Sequence, residues 1–148
     1  MRAIDGGMPI RYRARMSDTP AVNVIIEGQT GYAQEIHAGH HRWTSDEPQS
    51  RGGADTGPIP SALLLSALGA CTAITLRMYA ERKKWELGTI RIRCSLFPRK
   101  DERPRIDREL TFTASLSEDQ RVKLLEIAGK TPITKIVMDG AEVATKIG

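Results

Sequence analysis

The chain has little of what would announce a chemistry at once. It carries two cysteines, Cys71 and Cys94, too few for a disulfide framework in 148 residues, and no CxxC pair. Its histidines are His37, His40 and His41 alone. A glycine turn separates His37 from His41 and no carboxylate or cysteine stands at ligand spacing, so neither a metal nor any other cofactor is implied. The glycine-rich run GGADTGP lacks the lysine and the helix register of a phosphate loop. Aromatic residues make up only 5%, so aliphatic side chains must fill the core. No internal repeat or low-complexity tract is present.

The first twenty residues lack the apolar centre of a signal peptide and read as an N-terminal arm or edge segment, residues 1–20, leaving 21–148 as a single domain. With so few cysteines, this makes a reducing, cytoplasmic setting the expectation. The net charge of +4 comes from basic residues scattered over an N-terminal segment, a helix end and a hairpin. No aromatic-rich strand or recognition helix accompanies them, which argues against nucleic acid as a partner. Residues 56–76 are uncharged, but Gly57, Pro58 and Pro60 interrupt the front of that window. About sixteen helical residues remain, too few to cross a membrane comfortably.

What is present reads as α+β. The β-branched run from Ala21 to Ile26, a turn at 29–31, YAQEIHAG and HHRWTSDEP suggest a three-stranded meander over 21–46. The segment 47–60 holds too many prolines and glycines for a regular element. A helix follows that is apolar on nearly every face and so needs cover on every side, from sheets or from a second chain. Ile90, Ile92, Cys94 and Leu96 then alternate with polar residues as a half-buried strand, and 106–116 is its hairpin partner. Ser117 with Gln120 forms a capping box for a helix whose core face is expected to be Val122, Leu125 and Ile127. Thr131-Pro132 starts another helix, Asp139-Gly140 ends it, and 141–147 is expected as a last strand.

Cys71 sits in the middle of the apolar helix. Its two readings are a nucleophile and a small core residue. The helix dipole acts mainly in the first turn, so a reactive thiolate there needs a cation from another segment. Cys94 lies on the apolar face of its strand and reads as core.

The stretch GGADTGPIPSALLLSALGACTAITLRMYAERKKW, with its P-x-x-L-L-x-x-A-x-x-x-C pattern from Pro60 to Cys71, resembles the OsmC/Ohr family of osmotically inducible and organic hydroperoxide resistance proteins. The resemblance implies an OsmC-like fold: antiparallel sheets wrapped around a long buried central helix in an intertwined homodimer. It also implies that Cys71 attacks a hydroperoxide and becomes a sulfenic acid. In the family a second cysteine then closes a disulfide, and an arginine–glutamate pair holds the first thiolate. Here the position of the second cysteine is Thr131 and that of the glutamate is Ser61, while the hairpin GQTGYAQE has no arginine. Glu47 and Arg51 are the nearest charged substitutes in the chain. These differences point to the single-cysteine branch. The expected function is reduction of organic hydroperoxides through Cys71 with an external thiol reductant; the alternative is a non-catalytic dimeric binding protein for a small hydrophobic ligand.

Overall fold

The computed structural model describes residues 20–148, and all but the last residue of the expected arm lies outside them. The chain divides into two compact units at Gly57–Pro58.

The first unit is the expected meander. Strands β1 (Ile25–Glu27), β2 (Gln34–Ala38) and β3 (His41–Ser45) pair antiparallel in chain order, with Ile36 facing both Ile26 and Trp43. Gly39 makes the β2–β3 turn at φ 58, a left-handed conformation that costs glycine least. β1 is shorter than its β-branched run suggested, because residues 20–24 make no ladder. Beyond β3 a single 3-10 turn, Gln49–Arg51, forms inside the segment read as irregular.

The side chain of Asp46, buried at 2% exposure, organises that segment. One carboxylate oxygen accepts the backbone N–H of Glu47 at 2.8 Å. The other accepts the N–H groups of Ala54 and Thr56 and the Thr56 hydroxyl, at 3.2, 3.1 and 2.8 Å. The Thr56 hydroxyl is the main cause that holds the Asp46 carboxyl below its ordinary value of 3.8. A lowered folded-state value stabilises above the unfolded-state value and is lost as pH falls through it. Amide exchange at Ala54 and Thr56 should therefore stay slow from pH 7 to 5 and lose protection below about pH 4. Asp46→Asn should remove that pH dependence; an unchanged profile in the variant would assign the loop's order to something else.

The second unit is built on helix α1, Pro60–Lys83. Pro60 occupies the first helical position, where its missing N–H is no loss, so the proline starts the helix and does not shorten it. The expected uncharged helical run ends at Leu76 and the helix continues through charged residues to 24 in all; by length and composition alone α1 could cross a membrane. Within the described chain it is buried along one stripe. Leu68, Thr72, Leu76 and Ala80 recur every fourth residue as one fully buried stripe. Lys84 ends the helix in the left-handed region at φ 56, and Trp85 donates back to the Ala80 carbonyl at 2.9 Å.

Strands β4 (Ile90–Phe97) and β5 (Arg105–Phe112) form a hairpin in which Cys94 stands opposite Arg108. Helices α2 (Glu118–Ala128) and α3 (Pro132–Asp139) complete the unit. The capping box at Ser117 and Gln120 is present in both directions, and Thr131 caps α3 through the N–H of Thr134. The core gathers Leu76, Ala80, Leu87, Leu124 and Ala128.

Three expectations change here. The buried positions of α2 are Leu124 and Ala128, with Ile127 half-buried, while Val122 and Leu125 are exposed at 59% and 62%. The segment 141–147 forms no strand and pairs with neither sheet. Within this one chain α1 is covered on a single stripe, and Leu64, Ile74 and Met78 lie open.

Candidate functional site

Cys71 is half-buried in the fourth turn of α1 and is a free thiol. Its carbonyl accepts the Thr75 hydroxyl at 2.7 Å, a bond from one turn further on that keeps Thr75 beside it. Leu64, Ala67, Cys71, Ile74 and Met78 follow the three-and-four spacing of a heptad seam, so the thiol is central in the apolar face that this chain leaves uncovered.

Cys94 is elsewhere. A Cβ placed on Gly69 would lie 3.7 Å from the Cys94 sulfur, so this thiol rests against the Gly69 face of α1. Two residues along a helix is a little over half a turn, which puts Cys71 on the opposite side of the same helix. The helix body separates the two sulfurs, and both are free. Burial pushes the Cys94 thiol up, against the opposing charge of Arg108. Cys94 is a packing residue at the mouth of a groove of about 480 Å³ that also takes in Gly69 and Ala73.

Thr131 is fully buried and belongs to a network that the sequence reading missed. The guanidinium of Arg108 donates to the Thr72 hydroxyl at 2.7 Å, to the Thr134 hydroxyl at 2.8 Å and to the Ala128 carbonyl at 2.8 Å. Thr134 in turn shares a 2.7 Å hydrogen bond with Thr131. One arginine thus ties together α1, the end of α2 and the start of α3, with only neutral acceptors around it. It reaches the residue next to Cys71. The signal was in β5: Ile106, Arg108, Leu110 and Phe112 alternate as the inward face, and a charge at an inward position demands partners.

Ser61 is half-buried in the first turn of α1, ten residues before Cys71 and so about 15 Å from it along the axis. Glu47 and Arg51 pair with each other at 3.4 Å across the 3-10 turn of the first unit. His37 sits within 3.2 Å of Glu35 and 3.7 Å of Glu27 on the meander. No three-residue metal-binding group occurs among the described residues.

A long helix with a central thiol, an antiparallel hairpin and two short helices behind it define an α+β domain built to present one cysteine on an apolar surface. The chain belongs to the OsmC-like protein family, whose model matches residues 52–146. The fold is shared with solved structures at low identity. An osmotic stress induced and detoxification response protein of Psychrobacter arcticus has a TM-score of 0.70 at 14% identity, covering 81% of this chain and 90% of that one. An organic hydroperoxide resistance protein of Legionella pneumophila has 0.59 at 18%, covering 80% and 89%. The organic hydroperoxide resistance protein OhrB of Bacillus subtilis has 0.56 at 23%, covering 80% and 91%. Comparison with curated proteins gives no match. Two of these structures are named for organic hydroperoxide resistance.

Proposed function

We propose that the protein reduces organic hydroperoxides at Cys71 with an external thiol, in a reducing cytoplasmic setting. The observation that carries this is the place of Cys71, a half-buried free thiol central in an uncovered apolar face of the family's helix. The Cys71 thiolate attacks the terminal oxygen of the hydroperoxide and forms a sulfur–oxygen bond. The oxygen–oxygen bond breaks, and the alkoxide leaves as an alcohol after taking a proton. Cys71 is then a sulfenic acid. Cys94 lies across the helix and Thr131 has no sulfur, so an external thiol condenses with the sulfenic acid, releasing water, and a second thiol frees Cys71 and leaves as disulfide. The test is oxygen addition at Cys71, read by intact mass after one equivalent of cumene hydroperoxide in a Cys94→Ser background. An unmodified mass would overturn the reading.

The second reading is a dimeric binding protein for a small hydrophobic ligand, with Cys71 as a lining residue. It is favoured by the apolar grooves beside α1 and by the absence of a second thiol near the first. Retained lipid in native mass spectra, together with an inert Cys71, would select it.

Both readings use a homodimer. Leu64, Ile74 and Met78 are 47%, 60% and 49% exposed, and a second α1 laid along the seam would cover them. Sedimentation should give a dimer at micromolar concentration, and Ile74→Glu should shift it to monomer without loss of helical signal. A monomeric parent protein would remove the proposal.

A further inference from the structure

The meander of the first unit has an open edge. β1 pairs with β2 on one side, and its outer side has no strand partner among the described residues. Such an edge is a template for a further strand, and proteins ordinarily cover or charge it. All three residues of β1, Ile25, Ile26 and Glu27, are exposed. Side chains alternate across a strand, so Ile26 shares one face with Ile36 and Trp43, while Glu27 and Glu35 stand directly opposite each other on the other face. Like charges so placed repel. Arg42 at 3.5 Å and His37 at 3.2 Å both reach Glu35, whereas Glu27 has only His37, at 3.7 Å. The open edge thus presents an apolar face on one side and, on the other, an acid with no arginine or lysine beside it.

A segment of complementary pattern lies just upstream, outside the described residues. In the run IRYRARM, Ile10, Tyr12, Ala14 and Met16 alternate strictly with Arg11, Arg13 and Arg15, the period of a strand with one apolar and one cationic face. Gly6, Gly7 and Pro9 bound the run on one side, and Ser17, Asp18 and Pro20 on the other. We propose that residues 10–16 add to the outer edge of β1 as a further antiparallel strand. With Arg13 opposite Glu27, Ala14 falls opposite Ile26 and Arg15 opposite Ile25, and the reversal centres on Pro20, beside the bend at Ala21. This register sets Arg13 on the acidic face and Tyr12, Ala14 and Met16 on the face of Ile26, Ile36 and Trp43; a slip of one residue would reverse both. The other segment of strand composition, 141–147, holds one glutamate and one lysine and brings no excess of charge. The occupant is the same chain's own segment, because residues 17–24 are a short tether that holds it beside the edge at high effective concentration. Nothing in this depends on what Cys71 does.

Two measurements on the full chain test this. Amide exchange over residues 11–15 should be slower, by about tenfold or more, than in a free peptide of residues 8–20. Arg13→Glu replaces an attraction with a repulsion and should speed that exchange about tenfold, and Glu27→Arg added to it should restore the protection. The second measurement is a crosslink in a Cys71→Ser, Cys94→Ser background. Ala14→Cys with Ile26→Cys should oxidise to a disulfide within one chain, since opposite residues of paired strands lie within bridging distance. Arg13→Cys with Ile26→Cys, whose side chains leave opposite faces of the sheet, should bridge about tenfold more slowly or not at all. Exchange at the rate of the free peptide, protection that Glu27→Arg does not restore, or equal bridging from residues 13 and 14 overturns the inference. A bridge between two chains also overturns it, and assigns the edge to a second copy.

Discussion

Replacing Cys71 with serine is expected to lower thiol-dependent consumption of cumene hydroperoxide by a factor on the order of a thousand or more, down to the rate of the reductant alone. The hydroxyl that replaces the thiol is far less acidic and has no comparable affinity for peroxide oxygen, so nothing near it can take over. Thr75 is committed to the carbonyl of residue 71 and Thr72 to Leu68 and Arg108. The fold should be untouched, because sulfur to oxygen is a small change at a half-buried site. Cys94→Ser separates the two thiols: it should retain most of the activity, since that sulfur faces the opposite side of α1 and burial keeps its thiol protonated. Equal loss in the two variants would mean that both sulfurs act in one cycle, and would require α1 to move between them.

Local chemistry made much of this fold legible. Pro60 and Thr131-Pro132 announce helix starts by backbone geometry, Ser117 and Gln120 by reciprocal capping, and the period-2 run from Ile90 gives the register of the β4–β5 hairpin. Stripe choice was not legible. In α2 both Val122–Leu125 and Leu124–Ala128 are apolar pairs at helical spacing, and only packing on α1 decides that the second faces inward. The segment 141–147 has strand composition, but composition does not choose a pairing partner, and the segment joins neither sheet. For the site, the helix pattern places Cys71 midway along α1 and Ser61 in its first turn, about 15 Å away along the axis. Arg108 was written into the inward face of β5, among Ile106, Leu110 and Phe112, yet its partners come from three helices distant in sequence.

That arginine carries the largest expected effect on stability. Arg108→Ala removes three short hydrogen bonds and leaves the buried Thr72 hydroxyl without a donor, while the Thr134 hydroxyl keeps Thr131 and the Ala128 carbonyl keeps the Thr134 hydroxyl at 3.2 Å. Hydrogen bonds to a charged donor are worth about 1.5–3 kcal/mol each, but they share one side chain and do not add, so a loss of about 3–5 kcal/mol is expected. For a chain of this length that lowers Tm by roughly 10 °C. The opposing effect is release of a half-buried charge that has no carboxylate beside it, which a buried cation would otherwise hold at a desolvation cost. Partial exposure keeps that cost small, so the lost bonds should win. Arg108→Lys should recover only part of the loss, because a single ammonium cannot span acceptors on α1, α2 and α3 as the planar fork does. Adding Thr134→Ala to Arg108→Ala should cost less than the sum of the two, since both break the same network. An Arg108→Ala protein that melts within about 2 °C of the parent would show the network to be energetically idle, and with it the idea that α3 and the Cys71 turn are held in one piece.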